Sequence, residues 1–86
     1  MLLKGKVALV TGGTRGIGQA ISITLSNLGA YVIITGTKPN FISKEGYEYI
    51  CVDFLKKDSL NDFVSKISTR QIDILINNAG INIIGP

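Results

Sequence analysis

The chain has 86 residues, a hydrophobic fraction of 45% and a formal net charge of +3. A hydrophobic fraction this high predicts a packed core and argues against a disordered chain. The lysines are scattered and form no basic stripe, so the charge does not favour a nucleic-acid partner. With no histidine and one cysteine, the sequence lacks the side chains for a metal site or a histidine-dependent catalytic triad.

The single cysteine, Cys51, has no partner for an internal disulfide, which fits a reducing compartment. It falls in a predicted strand, and we expect it to be a small core residue. No apolar stretch approaches the ~20 residues of a membrane-spanning helix, and we expect no signal peptide at the start of the chain. We therefore expect a cytoplasmic protein that does not contact membranes.

The first predicted strand, residues 6–11, is a continuous apolar run, which is typical of a parallel strand covered on both faces. A helix is predicted over residues 16–28, and Gly29 is placed to end it in a left-handed conformation. The spacing puts Gln19, Ser22, Ser26 and Asn27 toward water. The apolar face would consist of Ile17, Ala20, Ile21, Thr24, Leu25 and Leu28.

The second predicted strand covers residues 31–35 and is rich in β-branched side chains. About a dozen residues separate it from the third strand, residues 48–52, so this crossover has room for at most one or two helical turns. A second helix is predicted to begin at Asp58 or Ser59, with a stripe of Leu60, Phe63, Val64 and Ile67. The fourth strand covers residues 72–76.

Alternating strands and helices predict an α/β fold with a doubly wound parallel sheet, in the strand order 3-2-1-4. In a sheet of this kind, ligands bind at the carboxyl ends of the strands, where the strand order reverses. The segments that follow strands one and four both end at this place. The sequence therefore predicts a binding crevice there.

The segment Thr11-Gly12-Gly13-Thr14-Arg15-Gly16-Ile17-Gly18 joins the first strand to the first helix. The glycines Gly12, Gly16 and Gly18 permit a tight turn and let a phosphate approach the main chain. The N–H groups of the first helical turn would face that phosphate. This pattern predicts a site for the pyrophosphate of a dinucleotide, whereas the alternative is an ordinary loop.

Arg15 lies inside this turn, and two interpretations of it remain open. It is either a solvated surface arginine or a partner for a second phosphate, such as the 2′-phosphate of NADP. Enzymes that use NAD usually carry an acidic residue about twenty positions after the glycine turn. Here the second strand ends at Gly36, and Thr37 and Lys38 follow. The sequence therefore favours NADP(H) over NAD(H).

The glycine turn together with Asn77-Asn78-Ala79-Gly80 resembles the amino-terminal half of a short-chain dehydrogenase/reductase of the classical type. The stretches 4–12 and 73–80 are similar to those of 3-oxoacyl-acyl-carrier-protein reductases. The resemblance implies that residues 1–86 form the amino-terminal part of a dinucleotide-binding Rossmann domain, truncated after strand four. It covers about the first third of the family's domain.

The resemblance also implies roles for individual residues. Asp53 and Phe54 would contact the adenine of the cofactor, and Asn77, Ala79 and Gly80 would line its ribose. Alternatively, Asp53 caps a strand end and Asn77 is an amide that stabilises the sheet. The cofactor phosphates would be held by Gly12, Thr14, Arg15, Gly16, Ile17 and Gly18, with Thr37 and Lys38 near the 2′-phosphate. We interpret Asp73 as a solvated residue at a strand start.

Members of the family transfer hydride between the nicotinamide and a small carbonyl or alcohol substrate, using a serine and a Tyr-x-x-x-Lys pair, and the complete enzyme is expected to be a homo-oligomer. Four positions after Tyr31, Tyr47 and Tyr49 stand Thr35, Cys51 and Asp53, so no residue here is predicted to be catalytic. The chain would then be the cofactor-binding segment of a truncated oxidoreductase. The alternatives are a stand-alone nucleotide-binding module and a non-functional remnant.

Overall fold

The computed structural model describes residues 1–78. Along the chain these residues form β1 (Val7–Thr11), α1 (Gly16–Asn27), β2 (Tyr31–Gly36), β3 (Glu48–Cys51), α2 (Lys57–Ser68) and β4 (Ile74–Asn77). The four strands pair in parallel as one sheet in the order β3-β2-β1-β4. The structure thus confirms the predicted Rossmann-type α/β fold and its strand order.

The two faces of the sheet carry separate core clusters, because successive side chains of a strand point to opposite faces. On the face covered by α1 the buried residues are Ala8, Val10, Ala30, Val32 and Ile34. On the face covered by α2 they are Leu9, Ile33, Ile50, Val52 and Phe63. The continuous apolar runs of β1 and β2 are explained by this arrangement, since both of their faces are covered.

The predicted apolar face of α1 is wrong in part. Ser22 is fully buried, and its hydroxyl donates a hydrogen bond of 2.8 Å to the Gly18 carbonyl. Ile17 is 73% exposed, while Ile21 and Leu25 pack at the edge of the core. The small residues at positions 18 and 22 share one face at helical spacing, so α1 approaches the sheet through them.

Residues 37–47, which connect β2 to β3, contain no helix, in keeping with the short crossover predicted. Aromatic side chains, and not a helix, cover this part of the sheet. The rings of Phe41 and Tyr49 have centroids 4.9 Å apart, and both pack with Tyr47 against the core cluster on the α1 face.

Cys51 is exposed, so its predicted place in the core is wrong. It lies on β3, an edge strand, whereas α1 packs over β1 and β2. The sulfur Sγ lies 3.5 Å from the Thr37 carbonyl oxygen, as a donor to it. Within the described part of the chain, both helices fall short of the length and hydrophobicity that crossing a bilayer requires.

Three polar side chains join the amino ends of β2 and β3 to the segment after α2. The Arg70 guanidinium donates two hydrogen bonds, of 2.8 and 2.9 Å, to the Glu48 carboxylate. The Tyr31 hydroxyl donates to the same carboxylate at 2.7 Å. We call Tyr31, Glu48 and Arg70 the amino-end clamp. Hydrogen bonding from Arg70 is the main cause that lowers the pKa of Glu48.

Asp73 has a structural role that the sequence interpretation missed. Although it is exposed, its carboxylate accepts a 2.8 Å hydrogen bond from the Val7 N–H and a 3.2 Å bond from the Gln71 amide. The Val7 hydrogen bond is the leading cause that lowers the pKa of Asp73. This carboxylate therefore ties the segment before β4 to the start of β1.

Candidate functional site

A cleft of about 710 Å³ lies at the carboxyl ends of the strands. Three segments form most of its wall: the turn after β1, the end of β2 with the loop that follows it, and the residues after β3. Its lining residues are Gly12, Thr14, Arg15, Gly16, Thr35, Gly36, Thr37, Lys38, Phe41, Tyr49, Val52, Asp53, Phe54, Leu55 and Asn78. The cleft thus brings together most of the site residues predicted from the sequence.

The glycine turn after β1 takes backbone angles that favour glycine, with φ of 67° at Gly12 and 59° at Gly16. Two hydrogen bonds fix the turn to β2. The Gly12 N–H donates to the Thr35 hydroxyl, and the Gly13 N–H donates to the Thr35 carbonyl, both at 3.1 Å. A Cβ built on Gly16 would have no atom within 4 Å, so the backbone here is open to a ligand.

The amino terminus of α1 is free of side-chain caps. Arg15 is its N-cap residue, with extended angles (φ −158°, ψ 169°), and no acidic residue lies in the first turn. The first N–H groups of a helix have no acceptor inside the helix, and they carry the positive end of its dipole. The chain itself therefore leaves a site for an anion beside Gly16.

The amino terminus of α2 also lacks a side-chain cap, with Lys56 as its N-cap residue, but its charge differs from that of α1. Its first turn contains an acidic residue, Asp58. The Ser59 hydroxyl accepts a 2.8 Å hydrogen bond from the Asp53 N–H, and the Asp53 carboxylate accepts one of 3.0 Å from the Leu55 N–H. Both donors lie in the loop between β3 and α2 and not in the first turn of the helix, and the Asp53 carboxylate caps this loop at the end of β3. Asp53 and Phe54 still line the cleft.

Gly18 and Ile17 lie apart from the cleft wall. Gly18 is buried, and a Cβ on it would collide with the Gly12 carbonyl oxygen and come within 2.5 Å of the Asn78 amide nitrogen. Gly18 therefore allows α1 to pack closely on the turn. Ile17 is 73% exposed and does not contribute to the wall.

The two asparagines at the end of β4, Asn77 as its last residue and Asn78 directly after it, make different contacts. The Asn77 side-chain oxygen accepts a 3.1 Å hydrogen bond from the Thr11 hydroxyl, so this residue ties β4 to β1. Asn78, which was not among the predicted site residues, lines the cleft and donates to the Gly12 carbonyl at 3.4 Å. The alternation of side chains at the strand end could have separated their roles. Ala79 and Gly80, the other predicted ribose contacts, lie outside the described residues.

The cleft carries two cations, Arg15 and Lys38, which are both exposed. Among residues 1–78 the ion pairs are Lys66 with Asp62 and Arg70 with Glu48, so neither cleft cation is paired within that range. No carboxylate follows the end of β2, where Gly36 is succeeded by Thr37 and Lys38. The electrostatics of this wall suit a phosphate.

An aromatic part of the wall was missed in the sequence. Phe41 and Tyr49 line the cleft, and the Tyr49 hydroxyl donates a 2.6 Å hydrogen bond to the Lys38 carbonyl. Burial is the main cause that raises the pKa of Tyr49. Only the register of β3 against β2, which pairs Tyr49 with Ile34, brings this ring beside the end of β2. Within residues 1–78 no cluster of histidine, cysteine or carboxylate side chains could hold a metal ion.

The chain matches known proteins over most of its length. Residues 6–86 match the family described as short chain dehydrogenase. The chain is 40% identical over 88 residues to a 3-oxoacyl-acyl-carrier-protein reductase of Haemophilus influenzae, covering 92% of this chain and 36% of that protein. It is also 40% identical over 88 residues to a 2-dehydro-3-deoxy-D-gluconate 5-dehydrogenase of Bacillus subtilis, covering 92% and 35%.

The fold agrees with these matches. A solved structure of a short chain dehydrogenase/reductase family protein superposes with a TM-score of 0.82 at 37% identity, over 94% of this chain and 36% of that one. The chain thus spans about a third of the length of the relatives it matches. Sequence and fold agree over nearly the whole chain, and it belongs to the short-chain dehydrogenase family.

Proposed function

We propose that this chain is the cofactor-binding segment of an NADP(H)-dependent oxidoreductase, and the amino-terminal part of its Rossmann domain. The observation that carries the proposal is the cleft itself. It combines the uncapped start of α1 with two cations, Arg15 and Lys38, and it has no carboxylate at the end of β2. A dinucleotide with a 2′-phosphate matches this distribution of charge.

Each part of the cofactor has a matching part of the cleft. The pyrophosphate would lie on the backbone of Gly12 and Gly16, where no Cβ obstructs it. Arg15 would pair with the 2′-phosphate, with Lys38 and the Thr37 hydroxyl on the other side of it. The nicotinamide, when bound, supplies or accepts the hydride.

The remaining assignments follow the family resemblance. Asp53 and Phe54 would contact the adenine, and both line the cleft. Asn77 would reach the ribose from the end of β4, together with Ala79 and Gly80. We propose that Asn78 acts indirectly, because its amide binds the Gly12 carbonyl and so holds the phosphate-binding turn in place.

The substrate is proposed only as a carbonyl compound or the corresponding alcohol. Relatives with equal identity to this chain are a reductase of 3-oxoacyl-acyl-carrier protein and a dehydrogenase of a sugar acid. Their shared chemistry is the interconversion of a carbonyl and an alcohol. We propose this reaction type for the protein that contains this chain, and we propose neither of the two individual substrates.

We propose that the proton-exchanging groups lie in the part of the family domain that this chain does not span. A catalytic tyrosine of this kind needs a pKa lowered toward neutrality. The pKa values of Tyr31 and Tyr49 are instead raised, mainly by the hydrogen bond to Glu48 and by burial, respectively. Both tyrosines are therefore better suited to structural roles.

Two alternatives from the sequence are a stand-alone nucleotide-binding module and a non-functional remnant. They differ from our proposal in the size of the native product. An antibody against this segment should detect a band well above 9.2 kDa in the source cells. A band at that size would contradict the truncated-enzyme proposal. The cytoplasmic location and the homo-oligomeric state stay predictions.

Substitution of Arg15 tests the cofactor assignment. Arg15→Gln should weaken NADPH binding by about 10- to 100-fold, because it removes a charged hydrogen bond to the 2′-phosphate. NADH binding should change by less than about twofold, as expected for a surface substitution. Both affinities are measured by fluorescence titration of the full chain. Lys44→Gln, which removes an exposed cation outside the cleft, is the matched control. An equal loss for both cofactors would contradict the assignment.

A further inference from the structure

The last residue of β2, Gly36, has no room for a side chain. A Cβ on Gly36 would lie 2.9 Å from the Tyr49 hydroxyl oxygen and 3.1 Å from its ring carbon Cε1. It would also lie 2.9 Å from the Thr14 methyl carbon. These distances are shorter than normal carbon contacts, so any side chain at position 36 requires Tyr49 to move.

Tyr49 is held in this position from two sides. Its hydroxyl donates a 2.6 Å hydrogen bond to the Lys38 carbonyl. Its ring packs on Phe41, with centroids 4.9 Å apart and planes inclined by 40°. Displacing Tyr49 would break the hydrogen bond and separate the two rings, so the tyrosine cannot easily make way for a larger residue 36.

The same hydrogen bond fixes the chain beyond β2. Residues 37–47 contain no helix that could hold Thr37 and Lys38 in place. Instead, two side chains of β3 donate to consecutive carbonyls: Tyr49 to Lys38, and Cys51 to Thr37 at 3.5 Å. The Tyr49 bond is the shorter of the two, and its donor lines the cleft.

We infer that Tyr49 is a specificity-determining residue that positions the NADP(H) side of the cleft. Its ring occupies the space that an acidic side chain at the end of β2 would need to bind the ribose hydroxyls of NAD. Its hydroxyl holds the Thr37–Lys38 segment where a 2′-phosphate would bind. Tyr49 is a positioning residue and acts through Lys38. The inference rests on the proposed function, since it concerns the same cleft.

The first experiment compares two small ligands that differ only in the 2′-phosphate. Adenosine 2′,5′-bisphosphate and 5′-AMP are titrated into the full chain by calorimetry, and the ratio of their Kd values is the readout. In Tyr49→Phe this selectivity should fall by about 3- to 10-fold, because one hydrogen bond to the Lys38 segment is lost while the ring stays. Tyr47→Phe, at a half-buried tyrosine outside the cleft wall, should leave the selectivity unchanged.

The outcomes separate this inference from the proposed function. A wild-type chain without preference for the bisphosphate would overturn the NADP(H) proposal, and the role of Tyr49 with it. A selective wild type whose ratio survives Tyr49→Phe would overturn the positioning role of Tyr49 alone. A similar loss of selectivity in Tyr47→Phe would also contradict it, because the effect would then come from general loosening of the core.

The second experiment tests the steric role through stability and does not depend on any ligand. Gly36→Ala should lower the folding equilibrium constant by about 5- to 100-fold, since overpacking is destabilising. In a chain that already carries Tyr49→Ala, the aromatic ring is absent. Gly36→Ala should there change the logarithm of the folding equilibrium constant by less than half of its change in the wild type. Urea unfolding of the four proteins measures this coupling. Additive effects would show that Tyr49 does not restrict position 36.

Discussion

The two ends of the parallel sheet are built from the same strands but differ in whether their polar and charged groups have partners within the chain. At the amino end, Arg70, Glu48 and Tyr31 bind one another, and Asp73 binds the start of β1. At the carboxyl end, the start of α1 is uncapped and the cleft carries two cations, with neither in an ion pair among residues 1–78. At the amino end the polar side chains are paired with one another, whereas at the carboxyl end the first N–H groups of α1 and the two cations have no such side-chain partners among residues 1–78.

The shared direction of the strands explains why the cleft can exist in so short a chain. In a parallel sheet every strand starts at one end and stops at the other, so the glycine turn and the segments after β2, β3 and β4 meet at one edge. The polar residues at the opposite edge bind one another and connect the starts of neighbouring strands. Substitutions at the amino end should leave binding unchanged, whereas substitutions at the glycine turn should alter it.

The largest effect is expected at Gly18, where the cleft end depends on close packing. The methyl of Gly18→Ala would collide with the Gly12 carbonyl, which is backbone and cannot turn aside. Overpacking of about 3 kcal/mol should outweigh the ~1 kcal/mol that alanine gains in helix propensity, for a net loss of roughly 2 kcal/mol. Urea unfolding measures it. Gln19→Ala, at the next and exposed position, is the control, and equal stability of both variants would show that α1 does not pack on the turn.

The next effect separates the two ends by function. Gly16 and Gly46 both have positive φ, 59° and 77°, and at both positions an added methyl group would lie in open space. Alanine at either position should cost about 1 kcal/mol of stability, because the left-handed conformation is strained. Only Gly16→Ala should weaken NADPH binding, by at least about tenfold, since its methyl would enter the phosphate position.

The measurement for this pair is the NADPH dissociation constant beside the urea midpoint of each variant. Gly46 lies in the β2–β3 connection and does not line the cleft, so it controls for strain alone. If both variants bound NADPH as the wild type does, the phosphate would not lie at the glycine turn. If both lost affinity equally, binding would depend on general stability.

The smallest effect is expected at the amino-end clamp, where the free energy of unfolding should depend on pH. The pKa of Glu48 is lowered in the folded chain, mainly by hydrogen bonds from Arg70. A lowered pKa means that the ionised form is favoured on folding, so this stability is present above the ordinary glutamate pKa of about 4.3. It is lost as the pH falls through the folded value. Glu48→Gln should therefore lose less stability than the wild type between about pH 5 and pH 3.

Urea unfolding at several pH values tests this difference. Asp73, whose pKa is also lowered, is present in both proteins and does not contribute to the difference between them. At neutral pH the affinity of Glu48→Gln for NADPH should stay within about twofold of the wild type, because the clamp is remote from the cleft. Parallel pH profiles would show that Glu48 gains nothing from Arg70.

The fold was predictable because its signals are local. The continuous apolar runs indicated doubly covered strands, and the glycine turn and Gly29 marked the bounds of α1. The prediction for Ser22 was wrong, because hydrophobicity alone ignores how small residues let a helix approach a sheet. The prediction for Cys51 was wrong because burial on an edge strand depends on which strands the helix covers.

The candidate site was predictable only where it consists of backbone and neighbouring residues in sequence. The turn with Gly12, Arg15 and Gly16 could be placed from its spacing, and so could the missing carboxylate after β2. Tyr49 was missed because it reaches the cleft from β3, through a register that the sequence does not display. Asn78 follows β4 in a segment that was placed at the cleft, and only the alternation of side chains there was not used to separate it from Asn77. Contacts across strands decided this part of the site.

The proposed dinucleotide site is tested most directly by an NADPH titration of the full chain followed by ¹⁵N–¹H NMR. We expect the amide signals of Gly12, Arg15 and Gly16 to shift on saturation, because these residues line the proposed phosphate site. The amide signals of Glu48, Arg70 and Asp73, at the opposite end of the sheet, should not shift. Shifts concentrated at the amino end, or none at the glycine turn, would contradict the assignment of the cleft as a dinucleotide site.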